Sequence, residues 1–313
     1  MAQSRSDLGD RSLVGSAGLD GLATEAGSDP AADYDARSTV ELVELMNAQD
    51  AAVPAAVALA AVSIADAVDA ISQRMLRGGR LVYVGAGSSG RIAALDASEC
   101  ESTFSTPPGA VVALIAGGEG AVALEQEAAE DDRQAGAADI SRLSIGPQDS
   151  VVGVSASGRT PYVLGAMSVA AGAGALTACI VSVDDSELAQ LVEHEIAVFV
   201  GAEFLTGSTR LKAGTAQKLV LNTISTISMI RLGKTFGNLM VDVRATNEKL
   251  RARVRRIVGT ATGAQSKRVD DALAAANGDA RVAIVSLLAE IDADEARTRL
   301  ADAGQSIQRA LDG

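Results

Sequence analysis

Three short stretches of this 313-residue chain gather hydroxyls, glycines and charged side chains at spacings that suit an anionic ligand. The first is Gly85-Ala-Gly-Ser-Ser-Gly-Arg91, directly after the apolar run 81–84. Glycines there let the backbone approach a ligand closely, and a helix starting in this loop offers free N–H groups to an anion. The spacing resembles half of a dinucleotide fingerprint, but the following strand is not trailed by the acidic residue that would hold a ribose. Ser88 and Ser89 better suit a compact phosphate or a sugar hydroxyl. The second is Ser155-Ala-Ser-Gly-Arg-Thr-Pro161, with Ser155, Ser157 and Thr160 as hydroxyls and Pro161 in a good position to open a helix. One hydroxyl is enough to cap a helix, so three with a glycine point to a phosphate cradle that needs no lysine. The third runs from Gly201 to Lys212. There Glu203, Ser208, Thr209 and Lys212 can face the same cleft, or the loop simply caps the next helix.

Acid–base work falls by default on carboxylates. The chain has one histidine, His194, read as a surface-helix residue, and two isolated cysteines, Cys100 and Cys179. These supply no zinc ligand set, no serine–histidine–aspartate triad and no disulfide framework, so no metal is expected. Unpaired cysteines fit a reducing compartment. Glu99 closes the segment Asp96-Ala-Ser-Glu99, with Ile92-Ala-Ala-Leu95 before it and Phe104 after it. An apolar setting of that kind raises a carboxyl pKa and lets the group act as a proton donor. Glu125, Glu127 and Glu130 read as part of a helix after the second strand, where a solvated face is the simplest account.

Composition removes several functional classes. The formal charge is −13, from 27 Lys and Arg against 40 Asp and Glu, and such a field repels nucleic acid. Aromatics make up 2% with no Trp, which argues against a base-stacking platform. The apolar stretch 51–70 contains Pro54, Asp66 and Asp69, so it reads as a packing helix and not as a membrane span. The start of the chain lacks a basic region followed by an apolar segment. A cytoplasmic protein is the expectation.

The elements that must position these residues follow a repeated rhythm. Continuous apolar runs at 81–84, 111–115, 151–154, 176–181 and 196–200 alternate with helix-favouring stretches. Strands buried on both faces, in a parallel sheet with right-handed crossovers, are the consequence. In such sheets ligands bind beyond the C-terminal strand ends, where all three loops fall. A short helix is expected over 39–48, capped by Ser38 or Thr39, then a long Ala-rich helix over 53–77, and another over 210–232. Three or four small helices follow from about residue 246. The expected organisation is a leader with a short helix over 1–45, a ligand-binding domain over 46–245 and a small helical domain over 246–313.

Taken together, the loops resemble the SIS (sugar isomerase) domain, and more specifically the N-acetylmuramic acid 6-phosphate etherase family. The match rests on Val84-Gly-Ala-Gly-Ser-Ser-Gly-Arg91 with Leu95-Asp-Ala-Ser-Glu-Cys100, on Leu114-Ile-Ala-Gly-Gly-Glu119, and on Ala129-Glu-Asp131. It extends through Ala156-Ser-Gly-Arg-Thr-Pro-Tyr-Val163, Gly214-Thr-Ala-Gln-Lys-Leu-Val-Leu-Asn222, Phe236-Gly-Asn-Leu-Met-Val-Asp-Val243 and Thr246-Asn-Glu-Lys-Leu250. Two departures stand out: Glu101-Ser-Thr103 replaces the usual Pro-Pro-Thr, and Thr24-Glu-Ala-Gly-Ser28 replaces Thr-Glu-x-x-Asn. The resemblance implies an α/β protein: a SIS-type parallel five-stranded sheet flanked by helices, plus a small C-terminal helical domain.

It also implies cleavage of the lactyl ether of N-acetylmuramic acid 6-phosphate by elimination and then hydration, without metal or organic cofactor. The family's two glutamates fall on Glu99, as proton donor to lactate and later director of water, and on Glu130, as the second acid–base group. Ser155, Ser157 and Thr160 would hold the phosphate, with Ser88 and Ser89 near sugar or phosphate. One straight helix over 88–99 would put Glu99 about 16 Å from Ser88 at ~1.5 Å rise per residue. Either that helix breaks, or Glu99 serves the cleft of a partner in a homodimer, which is the expectation here. The alternatives are a non-catalytic sugar-phosphate-binding regulator on the same core, and an aldose–ketose isomerase, which would want a histidine.

Overall fold

The computed structural model describes residues 33–122, 127–242 and 248–312. The five apolar runs lie side by side as β1 (Leu81–Gly85), β2 (Val111–Ile115), β3 (Ser150–Val154), β4 (Leu176–Val181) and β5 (His194–Ala197), in spatial order β2-β1-β3-β4-β5. Every neighbouring pair is parallel. β1, β3 and β4 are buried at each position, as their largely apolar character requires, whereas the edge strands β2 and β5, expected to be covered on both faces, are only partly buried.

Helices α1 (Thr39–Asp50), α2 (Val53–Leu59) and α3 (Ala61–Leu76) precede the sheet; α4 (Gly87–Phe104), α5 (Arg133–Arg142), α6 (Pro161–Gly172) and α7 (Lys212–Arg231) follow β1, β2, β3 and β5. Alternation along β1 divides the interior. Leu81 and Tyr83 join a core with Ile64, Ile71, Ala93 and Leu221 from α3, α4 and α7. Val82 and Val84 join the opposite core with Ile140, Val163 and Met167 from α5 and α6. Successive strand side chains point to opposite faces, so one five-residue strand holds both layers together.

Four expectations need correction. The helix expected over 53–77 is two helices, with a 58° bend between Thr39–Leu59 and Ala61–Leu76. α3 buries Ile64, Val68 and Ile71 in the same core that Val53 of α2 enters, and the bend leaves Leu59 at the junction 90% exposed. His194 does not lie on a surface helix: it is the half-buried first residue of β5, paired with Ala178. Thr177 and Glu193 exchange hydrogen bonds just before it, which extends the ladder earlier than the apolar run indicates. Glu130 does not end a helix. After β2 the chain makes 3-10 turns at Glu119–Val122 and Glu127–Ala129, and α5 starts only after Asp132, whose carboxylate accepts the Ala135 N–H at 2.8 Å. Finally, among the described residues five small helices close the chain: α8 (Glu248–Thr262), α9 (Ser266–Ala275), α10 (Ala280–Ala289), α11 (Ala293–Asp302) and α12 (Ile307–Asp312).

These five helices share a third core around Val254, Ile257, Ile284, Val285 and Leu300, which Val241 joins from just beyond a small hairpin of β6 (Thr235–Phe236) and β7 (Leu239–Met240). The expected leader falls mostly on residues outside the described ones; Ser38 caps α1 with a capping box to Glu41. Among the described residues no single helix is long and apolar enough to cross a membrane.

Candidate active site

The first loop turns from β1 into α4 with very little room. Gly90 N donates to Ala86 O at 3.0 Å, and a Cβ at Gly90 would lie 2.6 Å from Ile115 Cγ1 and 2.8 Å from Gly85 O. Glycine is therefore a packing requirement, because it lets the first turn of α4 sit against the sheet. Ala86, at the N-cap, makes no side-chain cap bond, so the first N–H groups of α4 remain open to an anion. Ser88 and Ser89 are half-buried in that turn.

The second loop carries a chain of hydroxyls. Ser155 and Thr160 are buried, at 3% and 7% exposure, and Ser157 is half-buried. Gly158 N donates to Ser155 Oγ at 3.0 Å, Ser155 Oγ lies 2.9 Å from Thr160 Oγ1, and Thr160 Oγ1 donates to Glu130 Oε1 at 3.2 Å. Ser157 Oγ accepts the Arg159 N–H at 3.3 Å. Thr160 is the N-cap of α6 but makes no side-chain cap bond; its hydroxyl serves Glu130 instead. Tyr162 N further fixes Glu130 by donating to its carbonyl at 3.0 Å. A Cβ on Gly87, at φ +50°, would stand 3.8 Å from Glu130 Oε2. The start of α4, the hydroxyl loop and the Glu130 carboxylate thus converge, with Glu130 itself exposed.

The third loop is built around a carboxylate that faces inward. Glu203 is fully buried, and its two oxygens accept the N–H groups of Lys212 and Ala213, each at 2.9 Å. It caps α7, the simpler of the two readings of this loop, and holds the first turn of that helix. Lys212 is 6% exposed, and Ser208 is half-buried in the turn before it.

Glu99 stands apart. α4 is continuous from Gly87 to Phe104, so no break brings Glu99 back toward Ser88, and about 16 Å of helix separates them. Nor is its setting the apolar one expected. Ala93, Asp96, Cys100 and Phe104 form the buried side of α4, while Glu99 is exposed. A cleft of about 590 Å³ does open beside it, lined by Ser98, Glu101 and the edge strand β2, but it includes none of the hydroxyl loop. Glu125 lies outside the described residues. Among the described residues no three His, Cys, Asp or Glu side chains group as a metal site.

A five-stranded parallel sheet whose C-terminal edge carries a loop of hydrogen-bonded hydroxyls, with a carboxylate tied into it, is the arrangement of a SIS-type domain. Residues 63–171 match the family described as the glucokinase regulatory protein N-terminal SIS domain. Relatives are similar over nearly the whole length: the N-acetylmuramic acid 6-phosphate etherase of Rubrobacter xylanophilus is 57% identical over 93% of this chain and 96% of its own. Those of Streptomyces coelicolor, 55% identical over 94% of each chain, and Mycolicibacterium smegmatis, 49% identical over 94% of this chain and 98% of its own, agree. The chain belongs to the N-acetylmuramic acid 6-phosphate etherase family.

Proposed function

We propose that this protein cleaves the lactyl ether of N-acetylmuramic acid 6-phosphate, giving N-acetylglucosamine 6-phosphate and D-lactate, in the cytoplasm and as part of amino-sugar recycling. One observation carries the reading: Thr160 Oγ1 donates to Glu130 Oε1 and lies 2.9 Å from Ser155 Oγ, so if these hydroxyls hold the phosphate, acid–base group and anchor are one unit. In the ring-opened sugar the C1 aldehyde acidifies the C2 proton. Glu130 removes that proton, the C3–O bond breaks as Glu99 protonates the departing lactate oxygen, and a C2–C3 double bond forms. Water then adds across it, directed by Glu99. Ser155, Ser157 and Thr160, with Ser88, Ser89 and the open N–H groups of α4, hold the phosphoryl end. We assign Lys212 and Ser208, on the third loop at the same sheet edge, to the substrate as well; Glu203 secures the turn that carries Lys212. The reading uses no metal or organic cofactor.

Because α4 does not break, the reading requires Glu99 to act in the cleft of a second copy. A homodimer with shared sites follows. The test of the reaction is incubation with N-acetylmuramic acid 6-phosphate in oxygen-18 water, with lactate assayed and the sugar analysed. Solvent oxygen at C3 of the product is expected; label confined to lactate, or no lactate at all, overturns the reading.

A further inference from the structure

Asp96 is a buried carboxylate that the proposed reaction does not use. It is 5% exposed and sits in the middle of α4. Tyr83 on β1 donates to its Oδ2 at 3.0 Å, while Asn222 Nδ2 at 2.6 Å and Ser225 Oγ at 3.0 Å, both on α7, donate to its Oδ1. A buried carboxylate survives only when its lone pairs are met in this way. Three donors from two different elements do more than compensate burial: the sheet grips one oxygen and α7 grips the other. Burial, and then the charge of Asp96, push the Tyr83 hydroxyl well above its usual range and the Cys100 thiol up to about 12. Both remain protonated donors, and Cys100 Sγ donates to the Asp96 carbonyl at 3.3 Å.

We propose that Asp96 is a positioning residue for Glu99, fixing the rotation and axial register of α4 one turn before the acid. Glu99 follows three residues on, about 4.5 Å along the axis. It is exposed, so no contact of its own is needed to aim it if the helix beneath cannot turn or slide. Two sequence stretches that the reaction itself leaves unexplained acquire a role: the Asp of Asp96-Ala-Ser-Glu99, and Asn222 at the end of the long run on α7. The proposal rests on the reading of Glu99 as proton donor to lactate.

The test is a charge swap across the 2.6 Å contact. Asn222→Asp alone sets two carboxyl groups against each other. They keep the contact only while they share one proton; at the alkaline end of the assay range, where both ionise, they repel and displace α4. An error of roughly 1 Å in a reacting group costs on the order of 100-fold, so kcat should fall by about 10- to 100-fold. KM should stay within about twofold, because the cradle is elsewhere. Exchange of the substrate C2 proton with deuterium oxide should continue while lactate release slows. The double variant Asp96→Asn with Asn222→Asp restores one amide and one carboxylate. The amide, now on α4, donates to the carboxylate on α7 and to Ser225, and its carbonyl accepts from Tyr83, so every group is again satisfied. The double variant should recover kcat to within about threefold, and it serves as the test even where the single variant folds poorly. Wild-type kcat in Asn222→Asp at alkaline pH, where both carboxyls are ionised, overturns the proposal. So does a swap that melts like wild type without recovering kcat, or parallel loss of exchange and lactate release. Glu99→Gln is the control. If it keeps full turnover, the reading of Glu99 fails; if it is inactive while Asn222→Asp is not, only the positioning role fails.

Discussion

Gly90→Ala is a one-carbon change whose consequences can be worked from distances. The added Cβ would sit 2.6 Å from Ile115 Cγ1 and 2.8 Å from Gly85 O, where a relaxed carbon contact is about 3.5–4.0 Å. Gly85 O cannot retreat, since it accepts the Ala116 N–H at 3.0 Å. The first turn of α4 must therefore lift from the sheet by about 1 Å, at a cost of about 1–3 kcal/mol in stability, typical of overpacking. Ser88, Ser89 and Gly87 move with it, away from the hydroxyl loop and from Glu130. A displacement of that size in a binding and reacting site lowers kcat/KM by on the order of 100-fold. Thermal or urea unfolding measures the first effect and lactate release at several substrate concentrations the second. Wild-type kcat/KM in a variant with an unchanged melting temperature would refute the argument that this glycine sets the site.

Glu130→Gln keeps shape and hydrogen bonding but not basicity, and should lower kcat by about 10²- to 10⁴-fold with an unchanged melting temperature, since the side chain is exposed. Ser157→Ala should raise KM about 10- to 150-fold, because a hydrogen bond to a charged group contributes about 1.5–3 kcal/mol, and should affect kcat less; the reverse pattern would remove Ser157 from the phosphate cradle. Asp149 should report on acid stability. Burial raises its pKa, but donors from Arg80 and Gly146 outweigh this and leave it below the ordinary carboxyl value. A lowered folded pKa means stabilisation that is complete above the unfolded value of about 4 and is lost as pH falls below it. Asp149→Asn should cost about 1–2 kcal/mol at pH 7, the value of a hydrogen bond to a charged group reduced for the partial exposure of Arg80, and should flatten the pH dependence of unfolding below about pH 4.

The central strands β1, β3 and β4 were readable because doubly buried strands must be largely apolar; the edge strands β2 and β5 also carry apolar residues but are only partly buried, not covered on both faces as expected. Edges were less so. β5 begins two residues early, where Glu193 N donates to Thr177 O and the two side chains accept backbone N–H groups across the pair, none of which a hydropathy pattern reveals. The hydroxyl loop was legible by its excess of hydroxyls over what a helix cap needs. Its link to Glu130 was not, since residue 130 reads as helix surface until Asp132 is seen to start α5. Glu99 was misread for a related reason. Ile92 and Phe104 flank it in sequence, but a helix turns 100° per residue, and the residue that faces inward from that segment is Asp96.

Shared sites are the claim on which the chemistry depends, and mixing two inactive variants measures them directly. Glu99→Gln and Glu130→Gln homodimers should each release almost no lactate. In a two-fold dimer with shared sites, each mixed dimer regains one intact site of two. Random reassortment makes half of all dimers mixed, so activity should return to about one quarter of wild type. If the mixture stays as inactive as its parents while native mass spectrometry shows that subunits have exchanged, the two glutamates do not meet across a dimer, and the account is wrong.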